Sequence, residues 1–79
     1  MSRNAEVADR LEEFADLLEA RDVAYKPRAY RRAAENVLDY PGAIEELAAD
    51  GPEAVERIEG VGDAIAAKVV EYEIGRAHV

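Results

Sequence analysis

Three groups of residues in this chain have types and spacings that can do chemistry. The first is Gly60-Val61-Gly62, with Ile58 before it and Ile65 and Val69 after it. Two glycines permit backbone angles that a Cβ resists, so the chain can turn sharply here. Val61 is expected to point inward with Ile58, Ile65 and Val69. The amides of Gly60, Val61 and Gly62 would then face outward where the next helix begins. Unpaired N–H groups and the positive end of a helix dipole make such a place a site for an anion such as phosphate. The second group is the run Tyr25-Lys26-Pro27-Arg28-Ala29-Tyr30-Arg31-Arg32. Residues 21–34 hold five basic side chains against Asp22 alone, a local net charge of +4 in an otherwise acidic chain. The third is Lys68, one of only two lysines, on the helix after the glycine turn with Ala64 and Tyr72 one turn away on either side. An amine partly desolvated there would hold less of its ammonium form and be a better nucleophile.

The elements that must position these groups are helices. Asn4 is placed to cap a first helix running to about residue 20, with Val7, Leu11, Phe14, Leu17 and Leu18 on one apolar stripe and an acidic outer face. Pro27 suits the first turn of a second helix over 27–39, with Tyr30, Ala33, Ala34, Val37 and Leu38 towards the core and Arg28, Arg31 and Arg32 towards solvent. Tyr40-Pro41-Gly42 ends it. A short third helix over 43–49 turns its Ile44, Leu47 and Ala48 inward, and Pro52 opens a fourth that ends near Ile58. Asp63 is placed to cap the last helix, which is expected to stop between residues 73 and 75, leaving a tail with His78 solvated. No alternating strand pattern or repeat is present. The reading is one all-α domain over 1–79, a compact bundle of four to five short helices.

Composition bounds the rest. Seventy-nine residues allow a thin core that buries about 60% of the unfolded surface. Without cysteine there is neither a disulfide framework nor a thiolate metal site. No His or carboxylate cluster has metal-ligand spacing. No apolar run is long enough to span a membrane and the start lacks a signal-peptide pattern, so a cytoplasmic location is expected. The net charge of −8 should repel nucleic acid at long range. An acid-rich, lysine-poor surface also suits a halophilic setting, where at 1 M salt the Debye length is about 3 Å and the repulsion is largely screened.

Apolar-x-Gly-apolar-Gly, here Ile58-Glu59-Gly60-Val61-Gly62, followed by Ile65-Ala66 is the helix-hairpin-helix pattern. With Lys26 to Ala34 at a similar spacing before it, the whole chain resembles the amino-terminal, DNA-end-binding domain of family X DNA polymerases, the DNA polymerase beta type. That resemblance implies a DNA-binding module for gapped or nicked DNA. In it the Gly60, Val61 and Gly62 amides hold a strand's backbone, and a sodium or potassium ion on the Gly60 and Gly62 carbonyls bridges to the DNA. Lys26, Tyr30 and Arg31 match the segment that holds the 5′-phosphate, and Tyr25 stands where a ring stacks on a base. Lys68 matches the lysine that, in lyase-active members, forms a Schiff base with a 5′-deoxyribose phosphate. Ala64 and Glu56 stand where those members carry further lysines. The resemblance further implies a partner polymerase body, which alone would use magnesium, a role in DNA repair, and a monomer without membrane attachment. An interaction module without a DNA role is the other class that the acidic surface suits.

Overall fold

The computed structural model describes residues 3–22 and 26–77, with the side chains of 76 and 77 left aside. Tyr25 and His78 lie outside the described residues. Five helices follow one another: α1 (Arg3–Ala20), α2 (Lys26–Asp39), α3 (Ile44–Ala49), α4 (Pro52–Val55) and α5 (Asp63–Ala77). There is no strand among the described residues. The Cα radius of gyration is 11.7 Å, that of a compact domain of this length. No helix among the described residues is long and apolar enough to cross a membrane.

The helices α1 and α2 pack on each other through small residues. Ala8, Ala15, Ala33 and Ala34 are all buried, and Val7, Leu11 and Val37 fill the space between them. Alanine costs a helix nothing in propensity and lets two helix axes approach closely. The buried stripe of α1 therefore runs Asn4, Val7, Ala8, Leu11, Ala15 in steps of three or four. Leu17 and Leu38, both expected in the core, are about half exposed. Their neighbours Leu18 and Val37, expected on the same faces, do pack inward. Ile58, Val61, Ile65 and Val69 are buried together as expected and close the core from the α5 side.

Asn4 has a different task from the one its position suggests. It sits inside α1 rather than before it, and its side chain is buried against the joint between α2 and α3. Its Nδ2 donates to Gly42 O at 2.8 Å, with longer contacts of 3.4 Å to Val37 O and Tyr40 O. Its Oδ1 accepts from Ile44 N at 3.0 Å. These are groups that helix ends leave without partners, and the α3 N-cap residue, Ala43, has no side chain to serve them. One asparagine thus caps the exit of one helix and the entry of another, from a third.

Two boundaries move. The helix before the glycine turn is shorter than expected, with α4 ending at Val55 and successive turns carrying the chain to Ile58. The last helix is longer, continuing through Gly75 to Ala77. Glu73, in the last turns of α5, is buried, 3.7 Å from Arg3 at the start of α1, so the pair ties the first helix to the last.

Candidate nucleic-acid interface

The hairpin is built from the α4 end, the loop and the start of α5. Ile58 N donates to Val55 O at 3.1 Å and Val61 N to Ile58 O at 3.1 Å. The second bond corrects one expectation. The Val61 amide is used inside the turn, and Val61 contributes a buried side chain rather than an N–H to the outer surface. Gly60 has φ +83°, in the region that only glycine enters readily. Gly62 does not, and a Cβ there would meet nothing within 4 Å. The turn therefore requires the first glycine but not the second, whose bareness leaves the loop open to whatever approaches it.

A side chain from α2 fixes the loop in place. Asn36 Nδ2 donates to Glu59 O at 2.6 Å, and a Cβ on Gly60 would lie 2.9 Å from the same nitrogen. Asp63 is the first residue of α5, and its Oδ1 accepts from Ala64 N at 2.8 Å. Its carboxylate thus takes an amide next to its own instead of one two or three residues on, as a cap would. The Gly60 and Gly62 amides make no hydrogen bond with the described residues. Of the two carbonyls expected to meet a cation, Gly60 O accepts no bond from the described residues, and Gly62 O accepts from Ala66 N at 2.9 Å.

The fold brings two of the expected site residues, Lys26 and Tyr30, to this loop. Lys26, Tyr30, Gly60, Gly62, Asp63 and Ala64 line one open recess of about 270 Å³. The recess lies where α2 and α5 both begin, so the positive ends of two helix dipoles meet at it. Lys26 is exposed there, while the Tyr30 ring is buried and burial pushes its hydroxyl pKa up. Tyr30 is thus a core residue, as expected, that also lines the surface recess.

Arg31 does not join them. Its guanidinium lies 2.9 Å from Glu12, 3.0 Å from Asp16 and 2.9 Å from Glu19, three carboxylates of α1. Those acids hold its pKa up, led by the bond to Asp16. Arg31 was expected at a phosphate; its charge is spent on the α1 face. Two other arginines stand beside the hairpin and form no ion pair with the described residues. Arg28 and Arg32, read from the sequence only as solvated, line a neighbouring recess of about 360 Å³ with Ala29 and Gly60. Their spacing of four on α2, with Asn36 four further on, puts the three on one face of the helix.

Lys68 occupies a third, more apolar recess of about 160 Å³ between α1, α2 and α5. Its Nζ lies 4.7 Å from the centre of the Phe14 ring, a cation–π contact, and the residue is exposed. Phe14 in turn meets Tyr30, ring centres 4.8 Å apart. Tyr30 lines the recess of Lys68 as well as that of Lys26 and separates the two amines.

A family model described as a helix-hairpin-helix domain matches residues 2–74. The chain belongs to the helix-hairpin-helix domain family. Its loop, Gly60 to Gly62, is the hairpin of that domain, and membership suggests DNA binding. Comparison with curated proteins and with solved structures gives no significant match.

Proposed function

We propose that this helix-hairpin-helix domain recognises the end of a DNA strand at a gap or nick, as the amino-terminal module of a family X repair polymerase. The observation that carries this reading is the recess where Lys26 and Tyr30 of α2 meet the bare side of Gly62 at the head of α5. A terminal phosphate in it would receive a hydrogen bond from the Lys26 ammonium and another from the Tyr30 hydroxyl, in the field of two helix N-termini. The Gly60 and Gly62 amides would take a phosphate of the adjoining backbone, which reads the strand without reading its sequence. A sodium or potassium ion would rest on the Gly60 carbonyl and on the second lone pair of Gly62 O; the polymerase body, not this domain, would supply magnesium chemistry.

The acidic remainder of the chain sets the conditions. A net charge of −8 opposes approach to DNA unless salt screens it, so the proposed setting is a concentrated-salt cytoplasm. Amide-to-phosphate hydrogen bonds do not rest on net charge and suit such a setting.

Titration of the isotope-labelled domain with gapped DNA tests the placement. The amide signals of Gly60, Gly62 and Ala64 and those around Lys26 should move first. Shifts confined to α3 and the outer face of α1 would contradict it and favour a protein-interaction module. A lyase reading would need Lys68 as a free amine able to attack C1′ of a deoxyribose phosphate. Lys68 is instead seated on Phe14, and no second lysine stands on its helix. The expectation is no borohydride-trapped adduct; one that disappears in Lys68→Ala would make the domain an enzyme.

A further inference from the structure

The α2 helix carries three arginines that the fold treats in opposite ways. Arg31 is surrounded by Glu12, Asp16 and Glu19. Arg28 and Arg32 are exposed and form no ion pair with the described residues, although Glu35 follows Arg32 by only three positions. The pair is also placed against the helix. Lys26 and Arg28 stand in the first turn of α2, which has no acidic residue, so the positive end of the dipole faces cations. Arg28 and Arg32 at spacing four repel each other on one face. Local stability is given up at this spot, which points to a use for the charge.

That use is set by what the pair adjoins. Arg32 packs its stem on the hairpin; a Cβ on Gly60 would lie 3.4 Å from its Cγ and 3.5 Å from its Nε. Asn36, one turn further, holds the Glu59 carbonyl. The face Arg28–Arg32–Asn36 therefore runs along the hairpin, and its two arginines line one recess with Ala29 and Gly60.

We infer that Arg28 and Arg32 form a second phosphate-binding station, which grips the continuous DNA backbone on the far side of Gly60 from the strand end. The inference rests on the reading that the hairpin binds DNA, and extends its footprint from an end to a length of strand. Guanidiniums suit this work, because each offers two parallel N–H donors to one phosphate and keeps its charge at any working pH.

The test is binding of one-nucleotide-gapped DNA, with and without the 5′-phosphate, over a series of potassium chloride concentrations. The double variant Arg28→Gln/Arg32→Gln keeps the side-chain stems, and circular dichroism checks that it stays folded. Loss of two phosphate contacts should lower the slope of log K against log salt by about 1.4 to 1.8. Affinity for both DNAs should fall together, leaving the preference for the 5′-phosphate unchanged, and Arg28→Lys/Arg32→Lys should restore the slope. A folded double variant with the wild-type slope overturns the second station while leaving end recognition in place. A reduced slope with no 5′-phosphate preference in the wild type overturns end recognition and retains the station. Absence of binding by the wild type to either DNA overturns both.

Discussion

Asn36 of α2 donates its side-chain amide to the Glu59 carbonyl across 2.6 Å, and through that bond the hairpin loop is held in register with the basic helix. Neither residue is a proposed ligand of DNA, yet their bond sets how far Lys26, Arg28 and Arg32 stand from Gly60 and Gly62. Asn36→Ala should cost about 0.5–1.5 kcal/mol of stability, the usual worth of one hydrogen bond, measured by urea unfolding. Its effect on DNA affinity should exceed that on stability, because a loosened loop no longer presents its amides beside the basic side chains.

The two hairpin glycines should separate by what they fail at. Gly60→Ala forces a Cβ into a φ of +83° and to within 2.9 Å of Asn36 Nδ2. About 1–3 kcal/mol of stability should be lost. Gly62→Ala meets open space and should leave unfolding within about 0.5 kcal/mol of wild type. Its methyl group would still stand where a phosphate must approach, so DNA binding should weaken. Equal stability of the two variants in thermal or urea unfolding would contradict this assignment.

Asn4 offers a test of the fold free of any assumption about DNA. Asn4→Leu leaves Ile44 N and Gly42 O without their partner and should cost about 2–4 kcal/mol. Asn4→Asp keeps the acceptor for Ile44 but turns a carboxylate towards carbonyl oxygens. Its folded-state pKa would be raised, so its contribution is present at low pH and lost as pH rises. That variant should therefore regain stability as acid protonates it, in contrast to Asn4→Leu.

Tyr30 predicts a loss at the other end of the pH scale. Burial raises its hydroxyl pKa above the ordinary value of 10.0. A group raised on folding stabilises fully below its unfolded pKa, and that contribution disappears as pH climbs through the folded one. Melting temperature should fall more steeply above about pH 10 for the wild type than for Tyr30→Phe, with the two curves parallel below it.

What could be read from the sequence was what depends on local pattern. Helical spacing and the punctuation at Pro27, Pro41 and Pro52 placed the elements, and Ile58, Val61, Ile65 and Val69 were identifiable as one inward face. The glycine loop, Lys26 and Tyr30 could be named from their types, and the fold does bring them to one recess. What could not be read were partnerships across the chain. Asn4 looks like the cap of its own helix because a propensity knows nothing of residues 37–44, 33 or more positions away. Arg31 and Arg32 are neighbours with the same chemistry; only the packing of α1 on α2 turns one to three carboxylates and the other to Gly60. Leu17 and Leu38 fit an apolar pattern, but small alanines bring the helices together on a narrower stripe.

The central claim is that this acidic domain senses the phosphate at a strand end. The most direct test titrates it onto one-nucleotide-gapped DNA carrying or lacking the 5′-phosphate, at several salt concentrations, alongside Lys26→Ala. Tighter binding with the phosphate, with the difference abolished in Lys26→Ala, is the predicted result. Equal affinity for the two DNAs at every salt concentration would contradict it and leave the hairpin holding backbone alone.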